Sequence, residues 1–169
     1  LSGKKIGIIG FGNTGSSFVN LLKNFDLELL VYDKYKQNYE YKSSLKEIFE
    51  KAEILSLHVP LNDETKKYID KSFINKMKKP FYLINTSRGQ CVDTKALIRG
   101  IKENKVKGAC LDVFEHEKTS FEKLKRNRDL TFLLNSNKTI LTPHIAGWTT
   151  ESYFKIAKIL SEKIISELS

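Results

Sequence analysis

Residues 5–15 read KIGIIGFGNTG, a short apolar run that breaks into glycines before helical spacing sets in from Ser16 to Leu22. G-x-G-x-x-G alone is a weak pattern. Directly after a strand and directly before a helix it acquires a physical meaning. Gly10 permits a tight turn, Gly12 lets the backbone approach a pyrophosphate, and Gly15 lets helix and strand pack closely. Asn13 and Thr14 belong to the same loop, and the helix start offers N–H groups and a positive dipole end to phosphates. The competing reading is a glycine turn that serves packing only.

Working outward, Leu27–Tyr32 is a second strand ending at Asp33, eighteen residues after Gly15. A carboxylate there would accept hydrogen bonds from the hydroxyls of an adenosine ribose. It would also repel a 2′-phosphate, which favours NAD over NADP, although the neighbouring Lys34 and Lys36 temper that preference. Leu45–Lys51 reads as a helix, Ile54–Leu57 as a strand running into His58-Val59-Pro60, Ser72–Lys78 as a helix and Phe81–Ile84 as a strand. Asp93 caps a helix running to about Glu103, and Val106–Val113 and Thr139–Leu141 supply two more strands. Short apolar strands alternating with amphipathic helices predict an α/β fold, a Rossmann-type doubly wound parallel sheet with helices on both faces. Lys118–Asn137, rich in charge and asparagine, reads as an irregular surface segment. Thr149–Ser169 is helical, with Tyr153, Ile156, Ala157, Leu160, Ile164 and Leu168 on one face and Phe154 and Ile165 flanking it. That stripe suits a helix packed on its own domain as well as one shared with a second domain.

The composition narrows the classes. The chain has 169 residues, 40% hydrophobic and 29% charged, enough for a packed core. No run approaches the roughly 18 to 20 apolar residues of a membrane span, and no secretory signal precedes the first strand. The cysteines, Cys91 and Cys110, lack metal-ligand or CxxC spacing, no metal site is expected, and a reduced, cytoplasmic setting follows. Cys110, between Ala109 and Leu111, reads as core. Lysine and arginine number 29 against 20 acids, a net charge of +9, but they are scattered without a basic stripe or interleaved aromatics. The charge therefore suits an anionic substrate or cofactor, not nucleic acid.

Three further stretches carry chemistry. "NTSRGQCVD", Asn85–Asp93, puts Thr86, Ser87 and Arg88 at the carboxyl end of a strand, where open α/β sheets bind ligands. The planar fork of Arg88 suits a carboxylate or carbonyl oxygen. "LDVFEHE", Leu111–Glu117, places Asp112 and Glu117 where one carboxylate could face a nicotinamide carboxamide and another could orient an acid/base. His116 lies there too, but between Glu115 and Glu117 it reads as part of an exposed charged turn. "TPHIAGW", Thr142–Trp148, holds His144 between a proline and small residues, Ala146 and Gly147 among them. Taken alone, a histidine near a turn is structural. It reads otherwise because the glycine loop, Asp33, His58–Pro60, Arg88, Asp112, Glu117 and His144 all fall at or just beyond strand ends, along one edge of a single sheet.

With these motifs in order, GFGNTG, VYDKY, HVPLNDET, INTSRGQCVD, LDVFEHE and TPHIAGW, the chain resembles the cofactor-binding domain of the D-isomer-specific 2-hydroxyacid dehydrogenases, nearest to their D-3-phosphoglycerate dehydrogenase-like branch. The resemblance implies an NAD-dependent oxidoreductase that moves a hydride between NAD(H) and a D-2-hydroxy acid or 2-keto acid, and a homodimer. It implies that Arg88 binds the substrate carboxylate and carbonyl oxygen, that His144 exchanges the proton, and that Glu117 hydrogen-bonds that imidazole and raises its pKa. A carboxylate beside histidine does favour the protonated form, and a developing alkoxide needs a nearby donor and a cation. Lys118 departs from the proline usual in the family after that glutamate, which leaves the turn around Glu117 less restrained. The family pairs this domain with a substrate domain, so residues 1–148 are expected to form the dinucleotide-binding domain and 149–169 a helix returning to the other. The start at Leu1 reads as an excised domain. A dinucleotide-sensing module without turnover is the alternative from another functional class.

Overall fold

A parallel strand covered on both sides must be apolar at nearly every position, and Ile6–Ile9, Leu29–Val31 and Leu55–Leu57 meet that demand with almost no exposed side chain. In a computed structural model that describes residues 2–115 and 127–168, strands and helices alternate. They are β1 Lys4–Ile9, α1 Asn13–Leu22, β2 Leu27–Tyr32, α2 Leu45–Lys51, β3 Ile54–Leu57, α3 Lys71–Lys76, β4 Phe81–Asn85, α4 Thr94–Lys102, β5 Val106–Leu111, α5 Arg128–Asn135, β6 Thr139–Leu141 and α6 Thr150–Leu168. The strands form one parallel sheet in the order β2-β1-β3-β4-β5-β6.

From β1 the chain steps one way to β2, then crosses back over β1 to β3 and continues in that direction. With right-handed crossovers, the reversal puts α1 on one face and α2 to α5 on the other. The two cores agree. Val19 and Leu22 of α1 pack on Ile6, Ile8, Leu29 and Val31. On the opposite face Ile48, Phe73, Ile74, Leu97, Ile101, Leu130 and Leu133 pack on Leu30, Leu55, Leu57, Phe81, Leu83, Val106 and Leu111. Each such side chain contributes about 1.5–3 kcal/mol by leaving water. Helix starts are fixed by caps: Ser44 and Glu47 form a capping box on α2, Asp70 accepts from Phe73 N, and Asp93 accepts from Ala96 N as its position predicts.

Four sequence expectations change. Helix α1 begins at Asn13, three residues before the expected Ser16, because Gly12 already serves as its extended N-cap. Strand β5 stops at Leu111, before Asp112 and Val113. Part of the segment expected to be irregular is α5, capped by Asn127, whose side chain accepts from Leu130 N, with Leu130 and Leu133 buried. Cys110 is exposed, not core. It lies with Tyr82 and Ile140, also exposed, on the α1 side of β4, β5 and β6, and among the described residues no helix covers that area. Helix α6 likewise has no buried residue.

Because α5 starts at one side-chain cap, Asn127→Ala should lower stability by about 1 kcal/mol while Asn127→Asp keeps it near the original value, read by urea unfolding. Equal stability of both variants would show that Leu130 and Leu133 hold α5 without the cap.

Candidate active site

The strand order reverses between β1 and β3, and the crevice that this opens at the strands' carboxyl ends is where the glycine loop sits. Gly10 has φ +97°, and a Cβ there would lie 2.3 Å from the His58 carbonyl oxygen. A Cβ at Gly15 would lie 2.1 Å from the Gly10 oxygen. Gly12 differs: its Cβ would meet nothing within 4 Å. Two glycines are thus demanded by packing, and the third borders open space at the start of α1, where no side chain caps the helix. Beside it lies a cleft of about 440 Å³, lined by Gly10, Gly12, Tyr32, Asp33, Leu45, His58, Val59, Pro60 and Tyr68 among others. An uncapped helix start, a side-chain-free approach and an adjoining, largely apolar cleft fit a dinucleotide's pyrophosphate and adenosine. Leu45 and Tyr68 had no motif to betray them, since they reach the cleft only through folding.

Asp33 stands at that cleft, held in place. Its Oδ2 accepts from Phe11 N at 2.7 Å and its Oδ1 from Tyr35 N at 2.9 Å and Lys36 N at 3.0 Å. Partial burial pushes the carboxyl up, but these N–H groups and the Lys36 charge bring it below its ordinary value. His58 plays a different part from Val59 and Pro60. Its Nε2 is 2.9 Å from Ser56 Oγ and its ring lies 5.0 Å from that of Phe18 on α1. Burial pushes its pKa down from 6.5 to about 4, so the ring is a neutral anchor.

The loops after β4, β5 and β6 lock together. Asn85, fully buried, accepts from Ser87 N at 3.0 Å and Ser87 Oγ at 2.9 Å, and donates to the Arg88 carbonyl at 3.0 Å. The Ser87 hydroxyl is therefore turned inward, while Thr86 and Arg88 are exposed. A Cβ at Gly89 would fall 1.9 Å from the carbonyl carbon of Phe114, so the loop carrying Arg88 rests on the backbone after β5. Asp112, buried, accepts from Thr142 Oγ1 at 2.5 Å, Ile145 N at 2.9 Å and Ala146 N at 3.0 Å, and its carbonyl accepts from His144 N at 2.9 Å. Asp112 thus braces the segment around His144, with one acceptor direction of Oδ2 left. His144 is half-buried at φ +56°, a backbone conformation that costs a non-glycine residue about 1 kcal/mol or more and that Asp112 imposes. Ala146 and Gly147 are exposed beside it. Glu115 is no solvated turn charge: it accepts from Thr94 N at 2.8 Å and pairs with Lys67 at 3.2 Å. His116 and Glu117 lie outside the described residues. Asn85 and Gly89 escaped notice in the sequence, although an asparagine ending a buried strand is a signal that its amide is used locally.

The fold and this crevice define a dinucleotide-binding domain. The family described as D-isomer specific 2-hydroxyacid dehydrogenase, NAD binding domain, matches residues 1–146, and the chain belongs to it. Glyoxylate reductase from Thermofilum pendens is 39% identical over 99% of this chain and 49% of its own length. Hydroxypyruvate reductase from Thermotoga maritima is 36% identical over 99% of this chain and 54% of its own. The NAD-complexed D-isomer specific 2-hydroxyacid dehydrogenase of Lactobacillus delbrueckii ssp. bulgaricus superposes with a TM-score of 0.85 at 29% identity, covering 97% of this chain and 53% of that one. The chain spans about half the length of the curated relatives it matches. Among the described residues no helix is long and apolar enough to cross a membrane.

Two measurements follow. Gly10→Ala should cost about 3 kcal/mol or more through strain and clash, whereas Gly12→Ala should cost about 1 kcal/mol yet weaken NADH binding, as read by thermal melts and fluorescence titration. Stability loss of the same size in both would mean that Gly12 serves packing too. The His58 ring is neutral when folded, and the unfolded ring takes up a proton as pH falls below about 6.5. Stability should therefore fall by up to about 3 kcal/mol between pH 6.5 and 4, stay level in this respect above 7, and fall less in His58→Phe. An identical pH slope in the variant would refute the assignment.

Proposed function

We propose that this chain is the cofactor half of an NAD-dependent D-2-hydroxyacid dehydrogenase that interconverts a 2-keto acid and its D-2-hydroxy acid. The observation that carries the proposal is the convergence at one sheet edge. The glycine loop, Asp33 and Val59-Pro60 adjoin one cleft, and Arg88 and the Asp112-braced His144 stand at the ends of β4 and β6. In this reading Gly12, Asn13 and Thr14 receive the pyrophosphate and Asp33 the adenosine ribose through the remaining acceptor direction of Oδ2. Thr86, Ser87, Asp112, Ala146 and Gly147 border the nicotinamide end, with Ser87 acting through backbone because its hydroxyl is occupied.

NAD(H), when bound, supplies or takes up the hydride. The protein's part is to hold the keto acid and move a proton. Arg88 engages the carboxylate and carbonyl oxygen, and the His144 imidazole gives the proton to the carbonyl oxygen during reduction and removes it during oxidation, with Glu117 as its partner. The strained backbone at His144 fixes where the ring starts from. A D-3-phosphoglycerate-like substrate is the finer reading of the motifs. The relatives' names, glyoxylate reductase and hydroxypyruvate reductase, speak for short 2-keto acids, and we assign the substrate to that class. Helix α6 is read as a returning element that packs on the rest of a longer enzyme, and a cytoplasmic homodimer belongs to the same proposal. The exposed apolar residues of α6 and of the β4–β6 face support the packing of α6 and the dimer.

In the complete enzyme, His144→Gln should lower keto-acid reduction by about 10²- to 10⁴-fold while NADH affinity stays nearly unchanged, because glutamine donates a hydrogen bond but delivers no proton. Steady-state rates with a panel of 2-keto acids, alongside NADH titration, read both. A variant with near-normal turnover would return His144 to a structural role.

A further inference from the structure

The adenosine end of the cleft has a second carboxylate, on the wall opposite the β2 loop. Glu64 lies in the turn after β3, and it borders the cleft together with Asp33, Lys34 and Tyr35. The turn is built to hold it: Asn62 Oδ1 accepts from Glu64 N at 3.1 Å and Thr65 N at 3.0 Å, and Thr65 Oγ1 donates to the Pro60 carbonyl at 2.6 Å. Both Glu64 oxygens are engaged. Lys34 Nζ donates to Oε1 and Tyr35 OH to Oε2, each at 2.6 Å. The Lys34 ammonium also lies 5.5 Å from the centre of the Tyr35 ring. These contacts join the loop after β2 to the loop after β3 across the end of β1.

The chemistry of that junction bears on which dinucleotide enters. Lys34 directly follows Asp33, the place from which an ammonium would meet a phosphate on the adenosine ribose. Lys36, the next cation, lies 5.4 Å from the Phe11 ring centre. Lys34 is thus committed to Glu64, which cancels its charge and leaves the Asp33 carboxylate without a free ammonium beside it at the cleft. A 2′-phosphate entering there would have to displace Glu64 from Lys34 and meet the Asp33 carboxylate at close range. NAD, with a bare ribose, meets neither penalty.

We propose that Glu64 is a specificity-determining residue that excludes NADP(H) by holding Lys34, the cation beside Asp33 that would otherwise meet a 2′-phosphate. The inference rests on the proposed placement of the adenosine ribose at Asp33. It acts through Lys34, so the two side chains must be tested together. The pair is more than half exposed on both sides, so it contributes little to folding and its loss leaves the domain intact.

The experiment measures NADH and NADPH affinity by fluorescence titration for the unsubstituted protein, Asp33→Ala, Glu64→Gln, and Glu64→Gln with Lys34→Met. Glu64→Gln should raise NADPH affinity about fivefold, the scale of one partly exposed charge-assisted contact, while NADH affinity changes by less than about twofold. Adding Lys34→Met should remove the gain, and the gain should shrink at high salt. Equal effects of Glu64→Gln on both dinucleotides, or a gain that survives Lys34→Met, would overturn the inference while leaving the site assignment intact. Failure of Asp33→Ala to weaken NADH would instead overturn the placement of the ribose, and the inference with it.

Discussion

The structure depends on a backbone contact too close for a side chain. Where β1 ends, Gly10 lies against the His58 carbonyl at the end of β3, and Gly15 lies against Gly10. That closeness exists because β1 and β3 are neighbours in the sheet although β2 intervenes in the sequence. Once the chain reverses direction there, α1 must cover one face and the later helices the other. The same contact brings the start of α1 to the mouth of the crevice and turns His58 inward, onto Ser56 and Phe18. A packing requirement and a binding cradle are one piece of geometry.

The other half of the edge is built by hydrogen bonds instead of close backbone approach. Asn85 closes the loop that carries Arg88, and Asp112 closes the segment that carries His144. Both are buried polar side chains with their partners supplied by neighbouring loops, the condition under which burial stabilises a single conformation. Gly89 ties the two together by resting on the backbone of Phe114. Residues from β4, β5 and β6 thereby hold a common arrangement although each sits on a loop.

The two faces of the sheet are unequal. Four helices cover one, while on the other α1 reaches only the β1–β2 end among the described residues. Tyr82, Cys110 and Ile140 are exposed on the remainder, and α6 keeps Tyr153, Ile156, Leu160 and Ile164 exposed along its length. Among the described residues these apolar side chains stay uncovered, in a chain that spans about half the length of its curated relatives.

What the sequence by itself determined is the alternation of elements, the strand–glycine–helix corner, and the lining up of Asp33, Arg88, Asp112 and His144 at strand ends. These are local or periodic properties: an apolar run, a glycine spacing, and the rule that loops at one end of a parallel sheet share an edge. Even the family followed from motifs in order. What only the tertiary structure decided are the partners. Nothing in "SRG" says that the Ser87 hydroxyl is consumed by Asn85, and nothing in "LDV" says that Asp112 braces the segment around His144. Cys110 looked like core because its neighbours in sequence are buried, yet a strand alternates faces, and whether a face is covered depends on which helices the topology sends there. Helix α5 was hidden for the opposite reason, since its charges are local and its burial is not. Glu64 falls within HVPLNDET, but its pairing was not legible there, because its meeting with Lys34 spans thirty residues and exists only after β1 has been placed between them.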